Sequence, residues 1–146
     1  MNVAFFLTPK STVAYLYDHF TIRQGLEKMK YHGYTAIPVI TKEGKYVGTV
    51  SEGDFLWHIV RGENGEQLTQ IDIKETEDRK IADLPRSANY QPVHITATID
   101  QLIEKAVTQN FVPVIDDLDS FIGIVTRRDI MKHFFISNYR PDVDKA

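Results

Sequence analysis

Apolar residues recur along this chain with two alternating spacings, and the alternation happens twice. Residues 13–17 form a short extended segment. Ile22, Leu26 and Met29 then fall at i, i+4 and i+7, which is one face of a helix. Gly33 is the predicted stop, because glycine enters the left-handed conformation without a Cβ clash. The run Ala36–Ile40 predicts a strand, Lys42-Glu43-Gly44 a turn and residues 46–50 a second strand. So short a turn requires an antiparallel hairpin. A further helix is expected over 54–60, ended by Gly62. The second pass predicts a strand at 93–95, a helix over Ile99–Thr108, strands Phe111–Ile115 and 121–125 around a turn at 116–119, and a helix over 129–136. The order is β-α-β-β-α, twice, an α+β fold.

The two passes match residue by residue. Ile37-Pro38-Val39-Ile40 stands 75 positions before Val112-Pro113-Val114-Ile115, and Gly48, Ser51 and Asp54 meet Gly123, Thr126 and Asp129 at that same offset. The apolar helix positions follow, Phe55 with Ile130, Leu56 with Met131, Ile59 with Phe134 and Val60 with Phe135. Thr21-Ile22 aligns with Thr98-Ile99 once two residues are dropped around His32-Gly33. The expected organisation is a first repeat over 1–62, a charged connector over 63–80, a second repeat over 81–140 and a flexible tail over 141–146. One repeat of about 55 residues buries little apolar surface alone. The copies should therefore pack about a pseudo-two-fold axis, with equivalent strand-to-helix junctions facing the groove between them.

Composition narrows the chemistry. With 146 residues, 42% hydrophobic and 25% charged, the chain falls in the globular range. A net charge of −3 argues against a nucleic-acid surface. The absence of cysteine excludes disulfides, thiolate metal sites and cysteine nucleophiles. The apolar opening Met1 to Leu7 lacks a basic flank and is shorter than a signal or membrane segment, so a cytoplasmic protein without membrane association is expected. No nucleophile elbow, P-loop or paired-carboxylate helix is present, and the five histidines show no metal-binding spacing. Neither an enzyme, a catalytic cofactor nor a metal is expected.

The polar groups concentrate at the two junctions. Ser51-x-x-Asp54 and Thr126-x-x-Asp129 are capping-box sequences, in which the hydroxyl caps the helix and the carboxylate reaches back to a free N–H. The same atoms also suit a ligand. A helix N-terminus favours a phosphate, an ionised aspartate accepts from neighbouring ribose hydroxyls, and Arg127 and Arg128 add planar cationic forks.

Gly-x-x-Ser/Thr-x-x-Asp after a Pro-Val hairpin, present twice, resembles a tandem CBS-domain pair, or Bateman module, over nearly the whole chain. The resemblance implies a disc-like homodimer, an adenine nucleotide (AMP, ADP or ATP) in the inter-repeat clefts as regulatory ligand, and an effector protein that reads its binding. It further implies that Asp54 with Ser51, and Asp129 with Thr126, meet ribose and phosphate. Tyr34, Thr35, Ala36 and Pro38, and Phe111, Val112 and Pro113, would line the adenine pockets. Val13-Ala14-Tyr15-Leu16, Gly33 to Val39 and Thr126-Arg127-Arg128 are also similar to small stand-alone bacterial CBS pairs that bind cyclic di-AMP. That likeness adds Thr12, Ala14, Arg127 and Arg128 as nucleotide contacts. An aspartate at both junctions, and Thr12 where a lysine occurs in those proteins, pull back toward ordinary adenine nucleotides. Glu52 and Gly53 stand where the other copy has Arg127 and Arg128, so the Arg127/Arg128 cleft should hold anions more tightly. The alternative expectation is a CBS-fold dimerisation module that binds no ligand, with Trp57 and Phe134-Phe135 in its helix seam.

Overall fold

The computed structural model describes residues 1–61, 77–84 and 90–138. Most of the expected connector, the Gly62 stop and the tail lie outside these. In chain order the elements are α1 (Val3–Phe6), β1 (Thr8–Pro9), a 3-10 turn (Lys10–Thr12), β2 (Leu16–Tyr17), α2 (Ile22–His32), β3 (Ala36–Ile40), β4 (Tyr46–Ser51) and α3 (Glu52–Arg61). A second 3-10 turn (Ile81–Asp83) leads to β5 (Val93–His94), α4 (Ile99–Thr108), β6 (Phe111–Ile115), β7 (Phe121–Thr126) and α5 (Arg127–Asn138). The chain divides into two compact units, one built on each repeat.

The first-repeat unit spans Ala14–Ala88 with Leu118–Phe121. Its sheet runs β2-β3-β4, with β2 parallel to β3 and the β3–β4 hairpin antiparallel, Ala36 opposite Ser51. Helix α2 opens on a reciprocal capping box between Thr21 and Gln24. It closes on Gly33 at φ 70°, whose N–H bonds the Met29 and Lys30 carbonyls, so the predicted glycine stop is realised. Leu16, Ile22, Met29, Ile37, Val39, Val50 and Phe55 form the core. Ile81 and Leu84 complete it, both almost fully buried. They are held there by backbone bonds from Ile81 N–H to Phe20 O at 2.8 Å and from Ile22 N–H to Arg79 O at 2.9 Å.

The second-repeat unit comprises Met1–Val13, Asn89–Asp117 and Ile122–Ala146. Its sheet order is β1-β7-β6-β5, with β1 antiparallel to β7 and β5 parallel to β6. Thr98 and Gln101 cap α4 as Thr21 and Gln24 cap α2. Val93, Leu102, Ala106, Val112, Val114, Val125 and Ile130 make the core, joined by Val3 and Phe6 from α1. Each repeat's core thus takes apolar residues from the segment that precedes the other repeat in sequence. The sequence places Met1–Val13 at the head of the first repeat and residue 81 at the head of the second. In space each lead-in completes the other unit's core.

Two expectations change. Helices α3 and α5 begin at Glu52 and Arg127, two residues before the predicted starts, because Ser51 and Thr126 are the caps and the aspartates sit one turn inside. Leu56 and Met131, aligned as apolar helix positions, point away from the core and are 60% and 65% exposed.

Candidate functional site

At the first junction the Asp54 N–H donates to Ser51 Oγ (3.2 Å) and the Ser51 N–H donates to Asp54 Oδ2 (2.8 Å). At the second, the Asp129 N–H donates to Thr126 Oγ1 (3.0 Å). The first helical N–H is also engaged in both copies, Glu52 N–H with Thr35 O and Arg127 N–H with Asn110 O, each at 2.9 Å. The doubling therefore extends to individual hydrogen bonds, except that the bond to the Asp54 carboxylate has no counterpart at Asp129 among the described residues. A cap of this kind contributes about 1 kcal/mol. With two of the first three N–H groups bonded internally, each helix end offers a phosphate fewer donors than the sequence suggests.

The copies diverge at Arg127. Its Nε donates to Ala106 O (2.8 Å) and its terminal nitrogen to Val107 O (3.2 Å), so its guanidinium caps the last turn of α4. The reason lies in the two-residue difference between the repeats. Helix α2 ends on Gly33, whereas α4 ends at Gln109 in extended conformation (φ −124°). Without a left-handed cap, carbonyls of the final turn need another donor, and a cation there also complements the helix dipole. Glu52 stands at the equivalent position of the first copy, where Gly33 already does this work. Arg128, next along, is exposed, and among the described residues it has no hydrogen-bond or ion-pair partner.

The remaining sequence-predicted residues fall into three settings. Thr35 and Ala36 lie beside Ser51 through the β3–β4 register and the Glu52–Thr35 bond, with Tyr34 adjoining. Phe111 is half-buried and packs on the Tyr90 ring, and Thr12 is exposed with its hydroxyl on Pro9 O at 3.1 Å. Ala14 and Val112 belong to the cores of their units, and Pro38 and Pro113 are buried in the strands. The side chains of those four are buried in their units.

Two cavities adjoin the junctions. One of about 590 Å³ in the first-repeat unit is lined by Leu26, Met29, Lys30, Tyr34, Thr35 and Glu52, among others. The other, about 340 Å³, lies in the second-repeat unit against Asp129, with Phe5, Leu7, Thr8, Lys132 and His133 in its wall. Sequence reasoning missed Leu7, Thr8 and Lys132. Lys132 was legible, being one turn beyond Asp129 on the same helix. The N-terminal wall was not, because it depends on β1 pairing with β7. That pairing explains Gly123 at φ +154°: a Cβ there would fall on the Thr8 carbonyl oxygen and lie 2.9 Å from Leu7 Cδ1 and 3.1 Å from Pro9 Cα. Rings of Phe5 and Phe6 meet the His133 ring edge-on at 5.0 and 5.3 Å, fixing the wall against α5.

A family model described as the CBS domain matches this chain twice, over residues 7–61 and 81–136. Among solved structures, CbpB in complex with c-di-AMP superposes with a TM-score of 0.79 at 29% identity, covering 95% of this chain and 91% of that one. CbpB from Streptococcus agalactiae gives a TM-score of 0.75 at 29% identity, with 94% and 86% covered. A hypothetical conserved protein from Geobacillus kaustophilus gives 0.81 at 25%, with 94% and 98% covered. A curated protein of Methanopyrus kandleri, the uncharacterized protein MK0525, is 23% identical over 106 residues, 72% of this chain. The chain spans about half the length of that relative, 49%.

Proposed function

This chain belongs to the CBS-domain family and carries the domain twice, and from that premise we propose that it is a non-enzymatic regulatory sensor of adenine nucleotides. The observation that carries the reading is the duplicated junction, a hydroxyl that accepts from an aspartate N–H at a helix start in each repeat, with a cavity against Asp129. An ionised carboxylate accepts from the paired hydroxyls of a ribose, and a half-buried one does so with less competition from water. Asp54 and Asp129 are both half-buried. The similar CbpB structure holds c-di-AMP, which supports cyclic di-AMP beside AMP, ADP and ATP as the ligand class. Signalling follows from differential affinity. The nucleotide favours whichever state of the module holds it better, and an effector protein that prefers one state responds. Exposed Leu56, Trp57, Met131 and Phe135 on α3 and α5 support assembly as a homodimer through those helices.

Calorimetry with AMP, ATP and cyclic di-AMP tests this on wild type, Asp54→Asn and Asp129→Asn. Asparagine keeps an acceptor for the cap and removes the charge. Each variant should melt near wild type yet lose affinity at its own site, Asp54→Asn less than Asp129→Asn for anionic ligands. A second reading is favoured by the first junction, where the closed Ser51–Asp54 capping box accounts for the Asp54 carboxylate: an interaction module that binds no nucleotide. No thermal stabilisation by any of the three at millimolar concentration would establish it.

A further inference from the structure

The two repeats share one frame at the entry to their first long helix and fill it differently. Tyr15 to Lys28 aligns with Pro92 to Lys105 without a gap. The folded chain keeps that register: Thr21–Gln24 and Thr98–Gln101 form the same capping box, and Leu16 and Val93 open the same parallel pairing. Glu27 and Lys28 recur as Glu104 and Lys105. In the first repeat three rings stand beside α2. Tyr17 meets Tyr15 edge-on at 5.6 Å and Phe20 at 5.4 Å. Lys28 lies across them, its Nζ donating to Tyr15 O (2.6 Å) and standing 5.1 Å from the Tyr15 ring centre and 6.0 Å from that of Phe20. In the second repeat Pro92, His94 and Ala97 take the places of the three rings. A groove of about 420 Å³ is left there, lined by Pro92, His94, Ala97, Gln101, Glu104 and Lys105, among others. Lys105 is half-buried and, among the described residues, has no hydrogen-bond, ion-pair or ring partner.

We propose that this groove is a docking site for an aromatic side chain, phenylalanine or tyrosine, of a partner protein, which restores the ring-and-lysine arrangement that the first repeat builds for itself. Two complementarities point to that occupant. The space left open is that of rings, since Ala97 omits the phenyl group of Phe20 and Pro92 the phenol of Tyr15. The charge matches as well: an ammonium is attracted to the negative face of an aromatic ring, and Lys28 shows that contact in the same frame. The wall is also prepared for a flat guest. His94 Nδ1 accepts from the Thr96 N–H (3.1 Å), which leaves Nε2 to donate to the Asp117 carboxylate (2.5 Å), so the imidazole is held at both nitrogens. A single ring held by apolar contact and one cation binds with about millimolar affinity alone. That suits an anchor residue within a wider interface, and the exposed Thr96 and Glu104 on the rim offer polar contacts to the backbone that carries it. No residue of either strand-to-helix junction lines this groove, so the proposal stands independently of the nucleotide reading.

NMR titration of the isotope-labelled protein tests it, with N-acetyl-phenylalanine amide as probe and N-acetyl-leucine amide as an apolar control without a π face. The phenylalanine amide should move the amide signals of Ala97, Gln101 and Lys105 at millimolar concentration and bind about threefold or more tightly than the leucine amide. Lys105→Met keeps the apolar stem, removes the charge and should level the two affinities. Ala97→Phe supplies the ring from the chain itself, as Phe20 does in the first repeat, and should abolish binding of the probe. Lys105→Met decides the case should Ala97→Phe fail to fold. The proposal is overturned by an absence of shifts in this groove at the solubility limit of the probe, by equal affinities for the two amides, or by a Lys105→Met protein that keeps the preference. A folded Ala97→Phe protein that still binds the probe here overturns it too. Binding of p-cresol in the groove without binding of the phenylalanine amide would assign it to a small molecule and overturn the docking role.

Discussion

Arg127 and Arg128 are adjacent, identical and assigned here to different tasks, which a pair of substitutions can separate. Arg127→Met retains most of the side-chain stem but removes the donors to Ala106 O (2.8 Å) and Val107 O (3.2 Å). A hydrogen bond from a charged group contributes about 1.5–3 kcal/mol, and a cation at a helix C-terminus adds about 0.3–1 kcal/mol. The longer of the two bonds is exposed to solvent, where water replaces it at little cost. The expected loss is therefore about 2 kcal/mol, mostly from the Ala106 bond. Arg128→Met touches no partner and should change stability by less than about 0.5 kcal/mol. Urea denaturation followed by circular dichroism reads both values through the midpoint at unchanged slope. Nucleotide titration of the same proteins should show the reverse order, Arg128→Met losing affinity and Arg127→Met keeping it. If Arg127→Met leaves the urea midpoint unmoved and abolishes nucleotide binding, the guanidinium belongs to the ligand and the capping argument is wrong.

Other consequences can be checked on stability alone. Gly123→Ala should cost about 1–3 kcal/mol, since the new methyl meets backbone of β1 that cannot rotate aside; amide exchange should show β1 released from β7. Gly33→Ala meets nothing within 4 Å, so only the left-handed strain of about 1–2 kcal/mol remains, measurable as a smaller shift in the same urea assay. Ile81→Ala, which empties a position 1% exposed in the first-repeat core, should lose about 2–5 kcal/mol. A loss under 1 kcal/mol would mean that Ile81 is not a core residue of that unit.

The local half of this fold was legible in the residues. Strands Ala36–Ile40 and Phe111–Ile115 and helix Ile99–Thr108 stand where periodicity and turn chemistry put them, because both are properties of short stretches. The doubled junction was legible for the same reason: Ser51 with Asp54, and Thr126 with Asp129, lie within one four-residue stretch each. Legibility ended where the partner is far away. Nothing near Gly123 announces that Thr8 will approach it, nothing near Ile81 points to Phe20, and the end of α4 does not reveal that Arg127 will supply its donors. The aligned sequences did record a trace of that last contact. The loss of Gly33's counterpart and the appearance of Arg127 are two sides of one substitution in the way a helix is ended.

The crossed lead-ins also set an order of events during synthesis. Residues 1–13 leave the ribosome more than a hundred residues before β7, the strand that Thr8 and Pro9 pair with, which begins at Phe121. The first repeat, though finished in sequence by residue 62, lacks Ile81 and Leu84 until the chain has grown past them. Val3 and Phe6 must therefore stay uncovered for most of translation, and contacts of such long sequence separation close slowly. An apolar segment left waiting is a place for chaperones to hold or for neighbouring chains to misassemble. The segment carrying Val3 and Phe6 is made early and finds its place late.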